Sequence, residues 1–340
     1  MITIFLCLFV LFLSLVFTGI LRFYALKQGL LDIPNERSSH LNPTPRGGGL
    51  SITISVLLST GIMYYLGLLS FDVLIAFGTG GLIVAIIAWF DDHKDIPAIW
   101  RAIFYTIAAI WSVSWLGGLD KITLGAQEIS LGFTGTFLAV LGIVWLTNLY
   151  NFMDGTDALA SVQAICAGII SGILFLLSGK IDLATLCFVI ATSSAGFMYW
   201  NWPPAKIFMG DVGSCLIGFS FGVLALLGEK SNTLPVLVWF IFMAAFICDA
   251  SLTLFMRLLK KEKWYKAHRV HAYQRIVQMG CSHAQLATGL LLLNILFLWP
   301  MAYIAYRWEK ISVIAMMSVL ILMCILWGYI QYKYHKIDCL

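Results

Sequence analysis

Long apolar runs, each about as long as a membrane-crossing helix, alternate with short polar segments along the chain. About 20 apolar residues cross the hydrocarbon core as a helix, and only helices or closed barrels satisfy their backbone polar groups there. The runs lack the alternation of barrel strands, so they predict an all-α polytopic membrane protein with about 11 transmembrane helices. The predicted spans lie near residues 2–23, 47–68, 72–90, 98–117, 132–150, 158–178, 183–200, 212–228, 234–257, 284–306 and 311–332.

The composition supports this interpretation, because 61% of the residues are hydrophobic and only 11% are charged. Soluble domains carry about 25% charged residues, so this chain has too little polar surface for a soluble globule. The first apolar run lacks a basic n-region and exceeds a signal-peptide core, so we expect it to remain as a helix. The eight cysteines are scattered without a Cys-x-x-Cys pair, which indicates neither a disulfide framework nor a zinc site. We expect one membrane domain over residues 1–340.

The basic residues predict the orientation of this domain. Eleven spans divide the loops into two sets, and one set holds 16 of the 21 Lys and Arg residues. The positive-inside rule makes that set cytoplasmic, with the N-terminus outside and the C-terminus in the cytoplasm. The net charge of +4 mostly reflects this bias and does not indicate nucleic-acid binding. The basic stretch 257–275 is expected to contact anionic headgroups. In the external loop 118–131, residues 121–124 and 128–131 are expected to form a short hairpin.

An acidic cluster follows the third predicted span. It contains Asp91, Asp92 and Asp95, and three carboxylates so close together repel one another unless a cation compensates them. A catalytic or metal-linked role is one interpretation. An acidic turn that ends the helix, or Asp95 as the cap of the next helix, is the structural alternative.

A second polar cluster ends the fifth span. A spacing of three places Asn148, Asn151 and Asp154 along one helix face. Amide and carboxylate oxygens are hard donors suited to Mg²⁺, and amides also recognise bases and sugars. Gly155 permits a turn, and Asp157 is expected either to take part in the site or to cap the next helix.

Glycine-rich segments begin two further helices. Arg46 precedes three glycines, whose backbone can approach a phosphate closely at a helix N-terminus. Asp211 lies between Gly210 and Gly213, so it is either a site residue or an ordinary helix cap. Phe208 is expected to stack on a flat ring or to anchor the chain at the membrane interface.

The last predicted cytoplasmic loop combines basic residues with histidine. A positive-inside anchor explains its lysines, but it explains His268, Arg269, His271 and Arg275 less well. Asp249 lies within a predicted span, where an acid is a functional candidate by default. The sequence contains no G-x-S-x-G, Walker A, H-E-x-x-H or Rossmann motif. Acids, glycines and arginines without an evident nucleophile favour phosphoryl chemistry.

Together these motifs resemble the polyprenyl-phosphate N-acetylhexosamine-1-phosphate transferases, the superfamily of MraY, WecA and TagO. The segments Pro43–Gly49, Asp91–Asp95, Asn151–Asp157 and Gly210–Ser214 occur in the family's order. The pattern Arg269-x-His271-Ala-Tyr-Gln is most similar to the WbpL/WbcO branch, which starts lipid-linked O-antigen synthesis. Ala158 departs from the family pattern, which usually has glycine there, and the family's histidine cluster is reduced to His271.

The resemblance implies transfer of a sugar-1-phosphate from a UDP-N-acetylhexosamine to undecaprenyl phosphate, with release of UMP, at the cytoplasmic face of the bacterial inner membrane. The implied cofactor is Mg²⁺, with Mn²⁺ as an alternative, bound by Asp211 and Asn151. The implied substrate-binding residues are Arg46, Asn148, Asp154, Asp157, Phe208, Arg269 and His271, with Phe208 against uracil. Asp91 or Asp92 would deprotonate or orient the lipid phosphate. Membrane lipids are further expected partners, and a homodimer is left open.

Two other functions fit parts of the pattern. A UbiA-type prenyltransferase would also use an aspartate-rich motif such as Asp91-Asp92-x-x-Asp95, but that class should carry a second such motif. A transporter would place its ionisable groups near the membrane midplane, whereas here most of the acids lie at helix ends on one side. The sequence does not distinguish among N-acetylhexosamine donors, nor between O-antigen and cell-wall pathways.

Overall fold

The computed structural model describes residues 1–34, 42–94, 96–262 and 268–338, and over these ranges the chain is almost entirely helical. The helices are α1 (Ile2–Gln28), α2 (Leu50–Tyr65), α3 (Phe71–Lys94), α4 (Ala98–Trp115), α5 (Phe133–Phe152), α6 (Leu159–Leu177), α7 (Ile181–Asn201), α8 (Asp211–Lys230), α9 (Val236–Phe242), α10 (Ala244–Leu259), α11 (Ala272–Gln278), α12 (His283–Arg307) and α13 (Glu309–Asp338). Helices α3 and α12 each contain a short π-helical segment, at Leu74–Thr79 and Asn294–Leu298.

Each of the eleven predicted spans coincides with a helix or a broken helix. Among the described residues, eight helices are long and apolar enough to cross a membrane. The pair α9 and α10, bent by 83°, makes a ninth candidate if it counts as one span. Helix α2 is a shorter apolar helix of 16 residues, and α4 does not belong to the eight. The structure therefore confirms a polytopic helical protein, while the count of eleven spans and the orientation stay predictions.

Helix α8 lies at the centre of the bundle. In its most apolar stretch of 18 residues, 89% of the residues are buried. Helix α8 packs against both α5 and α3. Helices α6 and α7 form the most extensive helix pair, with α1 against α7. In the corresponding stretches of the peripheral helices α1 and α13, only 22% of the residues are buried. Many large apolar side chains of these two helices are exposed. This arrangement places the first residue of the central helix, Asp211, at one end of the bundle.

The break between α9 and α10 is stabilised by polar side chains inside the bundle. A broken helix leaves backbone carbonyls without partners, which is unfavourable in a membrane. The amide of Gln163 donates to the carbonyl of Phe242 over 2.9 Å, and Asn294 donates to Gln163 over 3.0 Å. The bend therefore keeps its hydrogen bonding while it redirects α10.

Two short antiparallel hairpins complete the fold. The strands β3 (Lys121–Leu124) and β4 (Gln127–Ser130) pair with Lys121 opposite Ser130, which confirms the predicted hairpin with its second strand one residue earlier. The buried carboxylate of Glu229, at the end of α8, accepts the backbone N–H of Thr123 over 2.6 Å. At the opposite end of the bundle, β1 (Leu31–Asp32) pairs with β2 (Thr44–Pro45) and so closes the loop that leads to Arg46.

Candidate functional site

The end of α3 is bonded directly to the start of α8. The two carboxylate oxygens of Asp92 accept the backbone N–H groups of Asp211 and Val212, over 3.1 and 3.3 Å. Gly210 has a φ of 78°, and a Cβ there would lie 2.9 Å from the Asp92 carboxylate. Glycine is thus required both by the backbone conformation and by the close approach of Asp92. Asp92 satisfies backbone donors that the first turn of a helix leaves unpaired.

A cation lies between the other two acids. Arg101, in the first turns of α4, contacts Asp91 with Nη1 at 2.5 Å and Asp211 with the same atom at 3.4 Å. Asp91 also accepts the backbone N–H of Ile96 over 2.8 Å. A compensating cation for the acids was predicted from their spacing, but Arg101 had been counted only among the basic residues that set the topology. An arginine so early in a helix is unfavourable to the helix dipole, and this was the available signal that it serves the acids.

Backbone pairing fixes Arg46 beside these residues. The segment before α2 pairs with the segment before α8, through Phe208 N–H to Pro45, Gly48 N–H to Phe208, and Gly49 N–H to Met209, over 2.8–2.9 Å. A Cβ on Gly49 would lie 2.6 Å from the Cα of Gly213. The glycines therefore let the two helix starts touch, and they carry Arg46 to the mouth of the site.

These contacts line an open cavity of about 260 Å³ at this end of the bundle. Its lining residues are Arg46, Asp91, Asp92, Ile96, Arg101 and Asp211. Four of them were predicted from the sequence, and the structure brings these four together from three separate motifs. The cavity combines three carboxylates with two guanidinium groups, which suits a ligand that carries phosphate together with a cation.

Asn151, near the end of α5, lies beside Asp211. Its amide hydrogen-bonds the carboxylate of Asp211 and donates to the Sγ atom of Cys215 over 3.2 Å. The hydroxyl of Tyr105 lies 3.2 Å from the same sulfur. Asn148, one turn before Asn151, gives its amide to the carbonyl of Val144 over 2.8 Å. The structure thus brings the predicted pair Asn151 and Asp211 together, and Tyr105 and Cys215 are neighbours that the sequence did not indicate.

Asp154 joins the acidic group from the loop after α5. The carboxyl pKa of Asp154 is raised well above its ordinary value by burial, and then by the negative charges of Asp211 and Asp92. The backbone N–H of Gly210 donates to it and partly offsets the shift. Because like charges and burial both disfavour its ionised form, Asp154 is poised to accept a proton or a cation.

Asp157 holds three segments together. It accepts the backbone N–H of Ala205 over 3.1 Å, and the ring of His283 lies 3.2 Å from the same carboxylate oxygen. The expectation that Asp157 caps the next helix is wrong, because α6 has Ala158 at its N-cap and no side-chain cap. Ala158 has a φ of 61°, the left-handed region that favours glycine. Ala158, where the family usually has glycine, therefore adopts a backbone conformation that favours glycine.

The last predicted segment lies beside Asp157's loop and outside the cavity lining. The carboxylate of Asp249 accepts the N–H groups of Ala272 and Tyr273, over 2.8 and 3.1 Å, and so caps α11. Nδ1 of His271 is 3.4 Å from Asp249, and the hydroxyl of Tyr273 donates to the carbonyl of Phe152 over 3.0 Å. The buried acid Asp249 therefore docks α11 against the loop that carries Asp154 and Asp157.

The remaining predicted residues stand at the edge of this region. Phe208 is half-buried and pairs through its backbone, Arg269 is half-buried, and His271 is buried. Burial and the neighbouring His271 and Arg257 lower the pKa of His268 to about 4, so His268 is neutral at neutral pH. Asp95 and residues 263–267 lie outside the described residues.

The acids and amides around the cavity include ligands that suit a divalent metal. Within the described ranges no three His, Cys, Asp or Glu side chains form a ready-made ligand group. Mg²⁺ is nevertheless commonly held by one or two carboxylates plus waters and substrate phosphates. Asp211 with Asn151 fits that mode, and the surrounding carboxylates exceed the two arginines that line the cavity.

Comparisons with known proteins identify similar chains. Residues 74–229 match the model of glycosyl transferase family 4. The chain is 31% identical over 287 residues to a probable undecaprenyl-phosphate N-acetylglucosaminyl 1-phosphate transferase of Bacillus subtilis (strain 168), covering 83% of this chain and 79% of that protein. It is 29% identical over 329 residues to the undecaprenyl-phosphate alpha-N-acetylglucosaminyl 1-phosphate transferase of Yersinia pestis, covering 93% and 88%. A decaprenyl-phosphate N-acetylglucosaminephosphotransferase of Mycolicibacterium smegmatis is 28% identical over 309 residues, covering 78% and 73%.

Proposed function

The chain belongs to the superfamily of polyprenyl-phosphate N-acetylhexosamine-1-phosphate transferases, that of MraY, WecA and TagO, and from this premise we propose its reaction. It transfers N-acetylhexosamine-1-phosphate from a UDP-sugar to undecaprenyl phosphate and releases UMP. The relatives' names support a polyprenyl-phosphate acceptor, and they make UDP-N-acetylglucosamine the first donor to test.

One observation carries the proposal. Arg46, Asp91, Asp92, Arg101 and Asp211 come from four separate helix ends and line a single cavity at one end of a membrane-spanning bundle. A diphosphate and a phosphate that meet there find two guanidinium groups for their oxygens. The surrounding helices keep a lipid acceptor beside the same cavity.

The reaction conserves the number of phosphoanhydride bonds. An oxygen of the lipid phosphate attacks the sugar-bearing phosphorus of the donor, and the bond from that phosphorus to the bridging oxygen of UMP breaks. The bridging oxygen leaves with UMP. Because one anhydride forms as another breaks, the step is nearly isoenergetic and needs no ATP. Catalysis then rests on positioning and on neutralising charge.

Residues of the chain would supply both the positioning of the substrates and the neutralisation of their charge. Arg101 and Arg46 would bind phosphate oxygens and lower the repulsion between the two anionic substrates. Asp91 would take a proton from a monoanionic lipid phosphate or orient the dianion. Asp92 has both oxygens engaged by the start of α8, so it would act mainly by holding Asp211 in place.

The nucleotide-sugar would lie towards the loop after α5. We assign Asn148, Asp154 and Asp157 to that side of the site, with Phe208 against the uracil. Arg269 and His271 are placed at its edge, where α11 docks on the same loop through Tyr273. These assignments follow the family resemblance together with the proximity of the segments.

Asp211 and Asn151 are the residues that would hold Mg²⁺, with Mn²⁺ as a substitute. When bound, the metal would neutralise charge on the diphosphate and on the departing UMP. The excess of carboxylates over arginines in and around the cavity supports this assignment. Replacing Asp211 should therefore weaken both metal binding and turnover.

Membrane residence follows from the acceptor. Burial of each CH₂ contributes about 0.8 kcal/mol, so a long polyprenol does not leave the bilayer. We propose the cytoplasmic face of the bacterial inner membrane, where soluble UDP-sugars meet the lipid. The product would start a lipid-linked glycan for the O-antigen or for a cell-wall polymer, and the WbpL/WbcO branch and a homodimer stay predictions.

The test is UMP release by the purified chain with undecaprenyl phosphate, Mg²⁺ and a panel of UDP-N-acetylhexosamines. We expect UMP that depends on the lipid, with loss of turnover in EDTA and in Asp211→Asn. Asp182→Asn, in the first turn of α7, is a matched control and should keep full turnover.

The product also separates the alternatives. Release of pyrophosphate would indicate a UbiA-type prenyltransferase, which the comparisons do not favour. Substrate flux into proteoliposomes without any chemical product would indicate a transporter. A folded protein that releases no UMP with any donor would contradict the proposed function.

A further inference from the structure

A second cationic group lies outside the cavity lining, at the ends of α1 and α7. Arg22 and Lys206 both lie against the indole ring of Trp200, with Cζ of Arg22 at 5.9 Å and Nζ of Lys206 at 5.5 Å from the ring centroid. Lys206 also lies 5.3 Å from the ring centroid of Tyr199. We call Arg22, Tyr199, Trp200 and Lys206 the indole cluster.

The indole ring is held from several directions. The ring N–H of Trp200 donates to the carbonyl of Leu15 on α1 over 2.8 Å. The backbone carbonyl of Trp200 accepts the backbone N–H of Lys206 over 2.8 Å. A Cβ on Gly19 would lie 2.9 Å from the ring, so α1 needs a glycine for the ring to fit. The indole cluster is therefore a fixed arrangement of two helices and a loop, not a pair of independent surface side chains.

The charge of the indole cluster is not balanced within the described ranges. The ion pairs of the described residues involve neither Arg22 nor Lys206. The Nε atom of Arg22 is buried and makes no hydrogen bond within the same ranges, although the residue as a whole is partly exposed. An unpaired buried donor is unfavourable, so an acceptor brought from outside would stabilise this arrangement.

The surroundings indicate where that acceptor comes from. Tyr199, near the end of α7, is 63% exposed, and Phe23, on the outward-facing helix α1, is 60% exposed. Aromatic side chains of this kind lie at the headgroup level of membranes. A ligand here therefore places an anionic group on the two cations and apolar chains beside the aromatic rings.

We propose that the indole cluster binds the phosphate headgroup of an anionic phospholipid. Arginine binds phosphate through paired N–H groups, and lysine adds a second positive charge. Two independent snorkelling side chains would attract anionic lipids only through general surface charge, equally at any basic residue of this helix end. The proposed site differs, because both cations bear on one fixed ring.

The test uses the detergent-purified full chain, titrated with phosphatidylglycerol and, separately, with phosphatidylcholine of the same acyl chains. Bound lipid is counted by native mass spectrometry. Arg22→Gln and Lys206→Gln should each weaken phosphatidylglycerol binding at least about tenfold, because each variant loses a charge-assisted bond to the phosphate. Binding of phosphatidylcholine should not change.

Lys27→Gln is the matched control. Lys27 lies on the same helix end, but its Nζ is 4.6 Å from the ring of Phe23 on its own helix. This variant should weaken phosphatidylglycerol binding no more than about fivefold, the effect of one headgroup-level charge without a bond to the lipid. Lys206→Glu serves as a second variant, because Lys206 is exposed and its replacement does not disturb packing.

Three results would overturn the proposal. Unchanged phosphatidylglycerol affinity in the Lys206 variants is the first. The second is an equal loss in Lys27→Gln, which would mean a general surface-charge effect. The third result concerns inorganic phosphate at about 10 mM. If wild type and variants then bind phosphatidylglycerol equally, the indole cluster binds free phosphate instead.

Discussion

The carboxylate of Asp92 accepts the backbone N–H of Asp211 over 3.1 Å, although the two residues are 119 positions apart in the chain. This bond joins the end of α3 to the first turn of the central helix. It makes one acid of the site responsible for the position of another. The acidic motifs therefore have a structural role in addition to the chemical role that we propose for them.

The first prediction concerns this cap. Asp92→Asn should lower the free energy of unfolding by about 1–2 kcal/mol, the usual effect of a lost N-terminal cap. The reason is that the amide would point an NH₂ group at one of the two backbone N–H donors. Thermal unfolding in detergent is the measurement. Asp72→Asn, exposed at the other end of α3, should leave the melting temperature unchanged, and equal melting of the two variants would contradict the capping role.

The second prediction concerns the bridging cation. Arg101→Ala should reduce UMP release at least about tenfold, since charge-assisted hydrogen bonds contribute about 1.5–3 kcal/mol. Arg101→Lys keeps the charge but loses the planar donor geometry, so its turnover should be intermediate. Lys94→Ala changes an exposed basic residue at the end of α3 and should keep full activity. Normal turnover in Arg101→Ala would exclude Arg101 from the site.

The third prediction uses the pH dependence of Asp154. Its raised pKa means that the folded state binds the proton more tightly than the unfolded state does. Its contribution to stability is fully present below the unfolded pKa of about 3.9, and it is lost as pH rises through the folded pKa. At pH values above the folded pKa, Asp154→Asn should therefore raise the melting temperature in EDTA, because it removes a partly buried charge that Asp211 and Asp92 repel.

The measurement is a series of melting temperatures between about pH 4 and pH 8. The gap between Asp154→Asn and wild type should shrink as pH falls and the wild-type carboxyl becomes protonated. Asp120→Asn, in the loop before the β3–β4 hairpin, provides the control. If Asp154→Asn melts below wild type at every pH, the carboxylate is stabilising and this interpretation is wrong.

The fourth prediction concerns the docking of α11. Asp249→Ala should reduce stability by about 1–3 kcal/mol, because two buried backbone N–H groups lose their acceptor. Ser282→Ala removes an exposed cap, that of α12, and should cost about 1 kcal/mol or less. If Asp249 also positions the segment around His271, turnover should fall further than stability alone explains. Similar effects in both variants would limit Asp249 to ordinary capping.

The sequence predicted where the helices lie, but it did not predict how one of them breaks. The long apolar runs coincide with the long helices of the described residues, because a helix that crosses the hydrocarbon core needs about 20 apolar residues. They did not reveal that one run breaks by 83° at Met243. That bend depends on Gln163 and Asn294, whose hydrogen bonds reach it from other helices. No local pattern carries such information.

The candidate site divides in the same way. The sequence by itself determined the types of residue at the helix ends, namely the acids, glycines and arginine that we propose bind phosphate and metal. Only the tertiary structure decided that Arg101 bridges Asp91 to Asp211 and that Asp92 caps the central helix. The physical reason is that chain pattern fixes which residues reach the membrane surface, whereas their partners depend on how the helices pack, and packing brings together residues that are far apart in sequence.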